Sequence, residues 1–214
     1  MLNSLSISFL LLLLFALPVQ AGEFNEKLNH LDIAPTWTSL PGVGVKNHSL
    51  SDLKDKDVVV VAFTCNSCPY AVDYEDRLIE LSNKYTAEKN QVAVVAINVN
   101  LIDEDNMEAM TKRAGEKKFS FPYLFDESQE IAKAYGASRT PEFFVLNKKR
   151  QVVYMGAFDD NTDATKVTKN YIEDAIQAAL AGKPPEVIET VPIGCSIRYL
   201  SERQRQRLKK RQER

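Results

Sequence analysis

The sequence predicts an α/β fold, a central mixed sheet with flanking helices and an N-terminal two-strand extension. Three observations carry this prediction. Val58-Val59-Val60-Val61-Ala62-Phe63 is an unbroken apolar and mostly β-branched run, the pattern of a strand buried on both faces. Val92 to Val99 is a second such run, and between them Ala71, Tyr74, Leu78, Leu81 or Ser82, and Tyr85 recur at helical spacing. Strand, helix and strand in that order make a unit whose two strands pair in parallel. Further on, a strand ending at Leu146 and a second over Val152 to Phe158 read as a hairpin turned by Lys148-Lys149, which adds antiparallel pairing to the sheet.

Taken in order, the chain opens with Met1 to Ala21, which carries no charged side chain and is apolar from Ser8 to Pro18. Val19-Gln20-Ala21 fits a small-x-small cleavage site, so a signal peptide over 1–21 is expected and the mature chain is expected to be exported, periplasmic or extracellular. An uncleaved anchor is the competing reading, and the apolar run is short against the roughly 20 residues a spanning helix needs. A single domain over 22–200 and a basic tail over 201–214 follow. Trp37 to Leu40 and Val43 to His48 read as two short strands around Pro41-Gly42, and Ser49 to Lys54 as a helical turn. Asp103 is expected to cap a helix carrying Met107, Met110 and Ala114, with Gly115 near its end. Tyr123 to Phe125 reads as a short strand and Glu127 to Tyr135 as a helix closed by Gly136. Thr162 to Leu180 is expected to be the last clear helix, stopped by Gly182 and Pro184-Pro185.

The chemistry-bearing residues are few. Cys65 and Cys68 stand where the valine strand meets the helix, on one helical face and close enough to bond. Cys65 is expected at the helix start, where free N–H groups and the helix dipole favour a thiolate. A structural disulfide across two intervening residues is a poor staple, since so small a loop removes little unfolded-state entropy. The pair is therefore read as redox-active. Pro141 precedes a strongly apolar strand, and having no N–H to give it belongs at the strand's start. Arg139 nearby either lowers a cysteine pKa or points to solvent. Cys195 is the third cysteine: a free thiol, an intermolecular partner or an accessory resolving residue, with a buried, inert thiol as the plain reading. His30 and His48 are the only histidines and lack metal-ligand spacing, and the methionines follow the helical period as core filler, so no metal site is expected.

Charge is nearly balanced overall, 27 basic against 29 acidic residues. Its distribution is not, because Arg198 to Arg214 holds eight basic and two acidic residues. That tail lacks the apolar face of a membrane-inserting helix, so no stable membrane insertion is expected once the leader is gone. No phosphate loop, zinc signature, serine triad or nucleic-acid module appears.

The order strand, CxxC, helix, strand, then Thr-Pro strand, hairpin and closing helix resembles the thioredoxin fold. Phe63 to Tyr70, Tyr135-Gly136-Ala137, Thr140-Pro141-Glu142-Phe143-Phe144, Asp159-Asp160-Asn161 and Pro192 to Ile197 together resemble the redoxin branch of exported thioredoxin-like proteins, often labelled peroxiredoxin-like. The resemblance implies a thiol–disulfide oxidoreductase in which Cys65 attacks and Cys68 resolves. It further implies that Thr140-Pro141 is cis beside the pair and binds an extended substrate segment. No cofactor is expected beyond the Cys65–Cys68 disulfide; the partners are protein or small-molecule thiols and disulfides. The chain departs from the pattern at Val59, where thioredoxins carry a buried acid, and at Thr64, where an aromatic residue is usual. A thiol peroxidase is the alternative activity, although the Thr and Pro of the peroxidase box fall on Cys65 and Val61. A non-enzymatic Cu(I)-binding module is the further alternative, since soft sulfur ligands select that ion.

Overall fold

In the computed structural model, residues 22–44, 46–87 and 91–212 are described, and the expected signal peptide over 1–21 lies outside the described residues. The strands are β1 (Leu40–Gly42), β2 (Lys46–His48), β3 (Val58–Thr64), β4 (Val92–Asn98), β5 (Tyr123–Phe125), β6 (Arg139–Thr140), β7 (Glu142–Leu146), β8 (Val152–Gly156) and β9 (Cys195–Ser196). The helices are α1 (Pro69–Asp73), α2 (Glu75–Ala87), α3 (Met107–Lys117), α4 (Glu130–Tyr135), α5 (Tyr171–Leu180) and α6 (Glu202–Gln212). Seven strands form one mixed sheet in the order β2-β1-β5-β4-β3-β7-β8, with β6 and β9 paired apart from it.

The valine run lies inside that sheet. β3 pairs in parallel with β4, Val60 opposite Val94, and antiparallel with β7, Val60 opposite Val145. Every residue of β3 is buried because both faces are covered. Val58, Val60 and Ala62 belong to one cluster with Tyr74, Leu78 and Ile176. Val59, Val61 and Phe63 belong to a second with Trp37, Tyr135 and Phe144. Phe63, Tyr135 and Phe144 meet edge to face, with ring centres 5.0 Å apart for the closest pair. Burying each such apolar side chain contributes about 1.5–3 kcal/mol, so a strand buried twice over is a rigid base for whatever stands at its end.

Several boundaries move from their expected places. The N-terminal hairpin turns at Val43-Gly44, not at Pro41-Gly42, since Gly44 supplies the φ of +85° at the reversal. Asp103 lies in a short 3-10 turn, and the cap of α3 is Asn106, whose side chain accepts the Ala109 N–H at 2.9 Å. That helix runs past Gly115 and ends on Lys118 in the left-handed region. α4 begins at Glu130, and Gly136 closes it as expected. The last core helix begins only at Tyr171, because the segment before it is held open by side chains. Arg77 takes the Asn161 and Thr162 carbonyls, and Asp160 takes the Thr168 and Lys169 N–H groups. Among the described residues no helix is long and apolar enough to cross a membrane.

Candidate functional site

β3 delivers Cys65 to the carboxyl end of the sheet, the edge where ligand and catalytic groups of open α/β sheets gather. The neighbouring parallel strand β4 delivers a second group to the same edge. Asp105, in the turn after β4, is fully buried, and its Oδ1 accepts the N–H groups of Asn66 at 2.7 Å and Ser67 at 3.0 Å. Its Oδ2 accepts the Ser67 hydroxyl at 2.6 Å. Asn66 is tied further, donating to the Glu104 carbonyl and accepting from the Tyr123 hydroxyl. The two residues between the cysteines are therefore clamped to the body of the fold.

The helix does not start where the sequence suggests. α1 begins at Pro69, and Cys68, not Cys65, is its N-cap. The expectation that free N–H groups surround Cys65 is corrected, because those of Asn66 and Ser67 are occupied by Asp105. The consequence is electrostatic. A hydrogen bond from Cys65 holds the Cys68 thiol below the usual range; burial opposes this, while the Cys195 side chain and the backbone N–H groups of Ala71 and Cys195 add to it. The same bond to Cys68, then burial, push Cys65 up, and the charge of Asp105 adds to them against the Thr140 and Ser67 hydroxyls. Cys68 also donates to the Thr140 carbonyl at 2.9 Å, and Cys65 Sγ lies 3.4 Å from Thr140 Oγ1. The Thr140-Pro141 peptide is cis, and Thr140 lies against both thiols.

The profile of the Redoxin family matches residues 30–175. The chain belongs to the Redoxin family. A hypothetical protein from Sinorhizobium meliloti is 33% identical, with a TM-score of 0.76, over 83% of this chain and 98% of that one. An uncharacterized conserved protein from Geobacillus kaustophilus is also 33% identical, with the same TM-score of 0.76, over 83% and 96% of the two chains. A putative thiol:disulfide interchange protein DsbE from Chlorobium tepidum is 25% identical, with a TM-score of 0.58, over 72% of this chain and 99% of that one. No curated protein matches the chain. The fold is thioredoxin-like, and at the level of the family this redoxin is a redox protein.

The other expected residues of this redoxin divide. Cys195 is half-buried and joins Cys65, Cys68 and Ala71 in one cluster. Arg139 is exposed, and its guanidinium donates to Ser196 Oγ at 2.7 Å, so it reaches β9. The backbone of Thr140, expected to receive a substrate segment, pairs instead with Cys195 of the same chain. No group of three or more His, Cys, Asp or Glu among the described residues is arranged to hold a metal ion.

Three positions escape a reading of the sequence. Asp105 belongs to a run of acidic residues just past β4, and its signal is topological: the ends of adjacent parallel strands share an edge. Glu142 lies one residue past Pro141, and its Oε2 accepts the Ser138 and Arg139 N–H groups, which holds the approach to Thr140 in place. Burial pushes this carboxyl up, against those N–H groups. Gly194 is required because a Cβ there would collide with the Thr140 carbonyl. Nothing in the sequence marks that last contact.

Proposed function

We propose that this redoxin is an exported thiol–disulfide oxidoreductase working through the Cys65/Cys68 dithiol. The observation that carries the reading is the environment of the two thiols, one at a helix N-cap and one near a buried carboxylate, both touching Thr140. The resemblance assigns attack to Cys65; the position of Cys68 at the helix N-cap and on a pocket wall favours Cys68. In this reading the Cys68 thiolate attacks a substrate disulfide, a mixed disulfide forms, and one substrate sulfur leaves as a thiolate. Cys65 then attacks Cys68 Sγ and gives up its proton. The Cys65–Cys68 bond forms, the second substrate sulfur leaves, and the substrate is reduced by two electrons that an external thiol must restore. Export rests on the leader over 1–21 and on the DsbE name of the Chlorobium tepidum relative. N-terminal sequencing of the secreted protein, with Gly22 expected first, checks it.

Redox titration against glutathione, read as alkylation mass shift, tests the main reading. Cys65 and Cys68 are expected to gain and lose alkylation together. A pair that stays reduced at every poise overturns it.

Thiol peroxidase is the second reading, favoured by one observation: Cys68 occupies the N-cap and borders a pocket of about 550 Å³. Peroxide consumption at the rate of an ordinary thiol is the expected result, because the box Thr and Pro are absent. Rapid, saturable consumption that depends on Cys68 would promote this reading to first place.

A further inference from the structure

The segment from Val187 to Leu200 is a strap tied across the fold by its backbone. It runs first along β8, where the Met155 N–H donates to the Ile188 carbonyl and the Thr190 N–H to the Met155 carbonyl. The strap then crosses the edge that holds the dithiol. Arg139 pairs with Ser196 and Thr140 with Cys195, antiparallel, and the Ile197 N–H donates to the Ser138 carbonyl at 3.0 Å. Tyr199 donates to the Ala137 carbonyl at 2.6 Å, and the buried Gln129 bridges Val99, Arg198 and Leu200. An edge strand left open is a template for an incoming extended segment. Here that place beside the dithiol is filled by the chain itself, and the residue facing Thr140 is a cysteine.

Cys195 also shares the surroundings of Cys68. Its side chain packs against the cluster formed by Cys65, Cys68 and Ala71. Cys68 and Cys195 both border the pocket of about 550 Å³, together with Ser67, Arg198 and Gln204, whereas Cys65 does not. Cys68 thus shares a motif with Cys65 and a pocket wall with Cys195.

We propose that Cys195 is a second exchange partner of Cys68, delivered by a strap that occupies the edge an extended substrate would otherwise use. This rests on the Cys65/Cys68 reading above. In the oxidised protein, the Cys195 thiolate attacks Cys68 Sγ of the Cys65–Cys68 disulfide. The Cys68–Cys195 bond forms and the Cys65–Cys68 bond breaks. Cys65 leaves with the electron pair and takes up the proton that Cys195 gave up, so the step has no net oxidation. Reduced Cys68, then burial, keep the Cys195 thiol above its usual range against the charges of Arg198 and Arg139; once Cys68 is in a disulfide its own share is gone and burial alone opposes those charges. The exchange replaces Cys65, which lies off the pocket, by Cys195, so that both sulfurs of the disulfide border the pocket where a small thiol can reach them.

The test uses the full chain carrying Cys65→Ser, treated with oxidised glutathione, alkylated and mapped by mass spectrometry. The expected result is loss of both remaining thiols to a Cys68–Cys195 disulfide with no glutathione retained. Glutathione held on Cys68 with Cys195 still alkylated overturns the proposal, as does a dimer linked through Cys195. Circular dichroism checks that the variant folds. If it does not, disulfide mapping of the wild type across the same titration decides, with a Cys68–Cys195 peptide supporting the exchange and its absence at every poise overturning it. Wild type that cycles Cys65 and Cys68 while Cys195 stays free removes only this inference. Wild type in which neither is oxidised removes the parent reading as well.

Discussion

Cys65 and Cys68 belong to one short motif and have opposite surroundings. Around Cys65 the Asp105 carboxylate has taken the nearby N–H groups, and Ser67 gives its proton to that carboxylate. Around Cys68 the depressing influences come from Cys65, from α1 and from the strap, and they face one acceptor, the Thr140 carbonyl. One side is made by the body of the sheet, the other by a helix start and a segment from the far end of the chain. A CxxC spacing therefore sets the distance between two thiols but not which of them is the thiolate.

The contrast is most exposed to test at the thiols themselves. Cys68→Ser is expected to abolish mixed-disulfide formation, while Cys65→Ser forms adducts that decay through Cys195 and persist once Cys195→Ser is added. Trapping on an immobilised protein disulfide reads this, and Cys68→Ser holding more adduct than Cys65→Ser would reverse the assignment. Asp105→Asn probes the acceptor side. Hydrogen bonds to a charged group are worth about 1.5–3 kcal/mol each, so destabilisation by about 2 kcal/mol is expected in urea unfolding, together with a lower Cys65 pKa in alkylation against pH. An unchanged Cys65 profile would remove Asp105 from the account.

Gly194→Ala probes the donor side, because the added methyl has no room against the Thr140 carbonyl. A cost of about 1–3 kcal/mol and faster proteolysis within residues 187–200 are expected. The pH dependence has a definite sign. Cys68 is depressed in the fold, so its contribution to stability is complete above the ordinary thiol pKa and is lost as pH falls through its folded value. Cys65 is raised, so its contribution is present below the ordinary thiol pKa and is lost as pH rises toward its folded value. The reduced chain should therefore be most stable, relative to the Cys65→Ser/Cys68→Ser variant, near the ordinary thiol range. A difference that climbs steadily through that range would contradict the opposed shifts. Arg139→Ala is expected to change least: less than about 1 kcal/mol of stability for an exposed group, with a small rise in the Cys195 pKa because a favourable positive charge is lost.

The parts of this protein that depend on local pattern are legible without a structure. An unbroken valine run cannot face water on either side, so β3 had to lie inside the sheet, and the helical period after it called for a parallel neighbour. Pro141 had to begin a strand because it has no N–H to give a ladder. The candidate site was expected at Cys65, Cys68, Thr140 and Pro141, two short motifs that the fold brings side by side. Other features came only from the packing of distant segments. The helix start shifted to Pro69, and a carboxylate from the next strand's end took the N–H groups around Cys65. Gly194 and Cys195, far along the chain from Thr140, closed the edge beside it. Each of these depends on which segments meet at the end of the sheet, and close approach of distant backbones leaves no periodicity in a sequence.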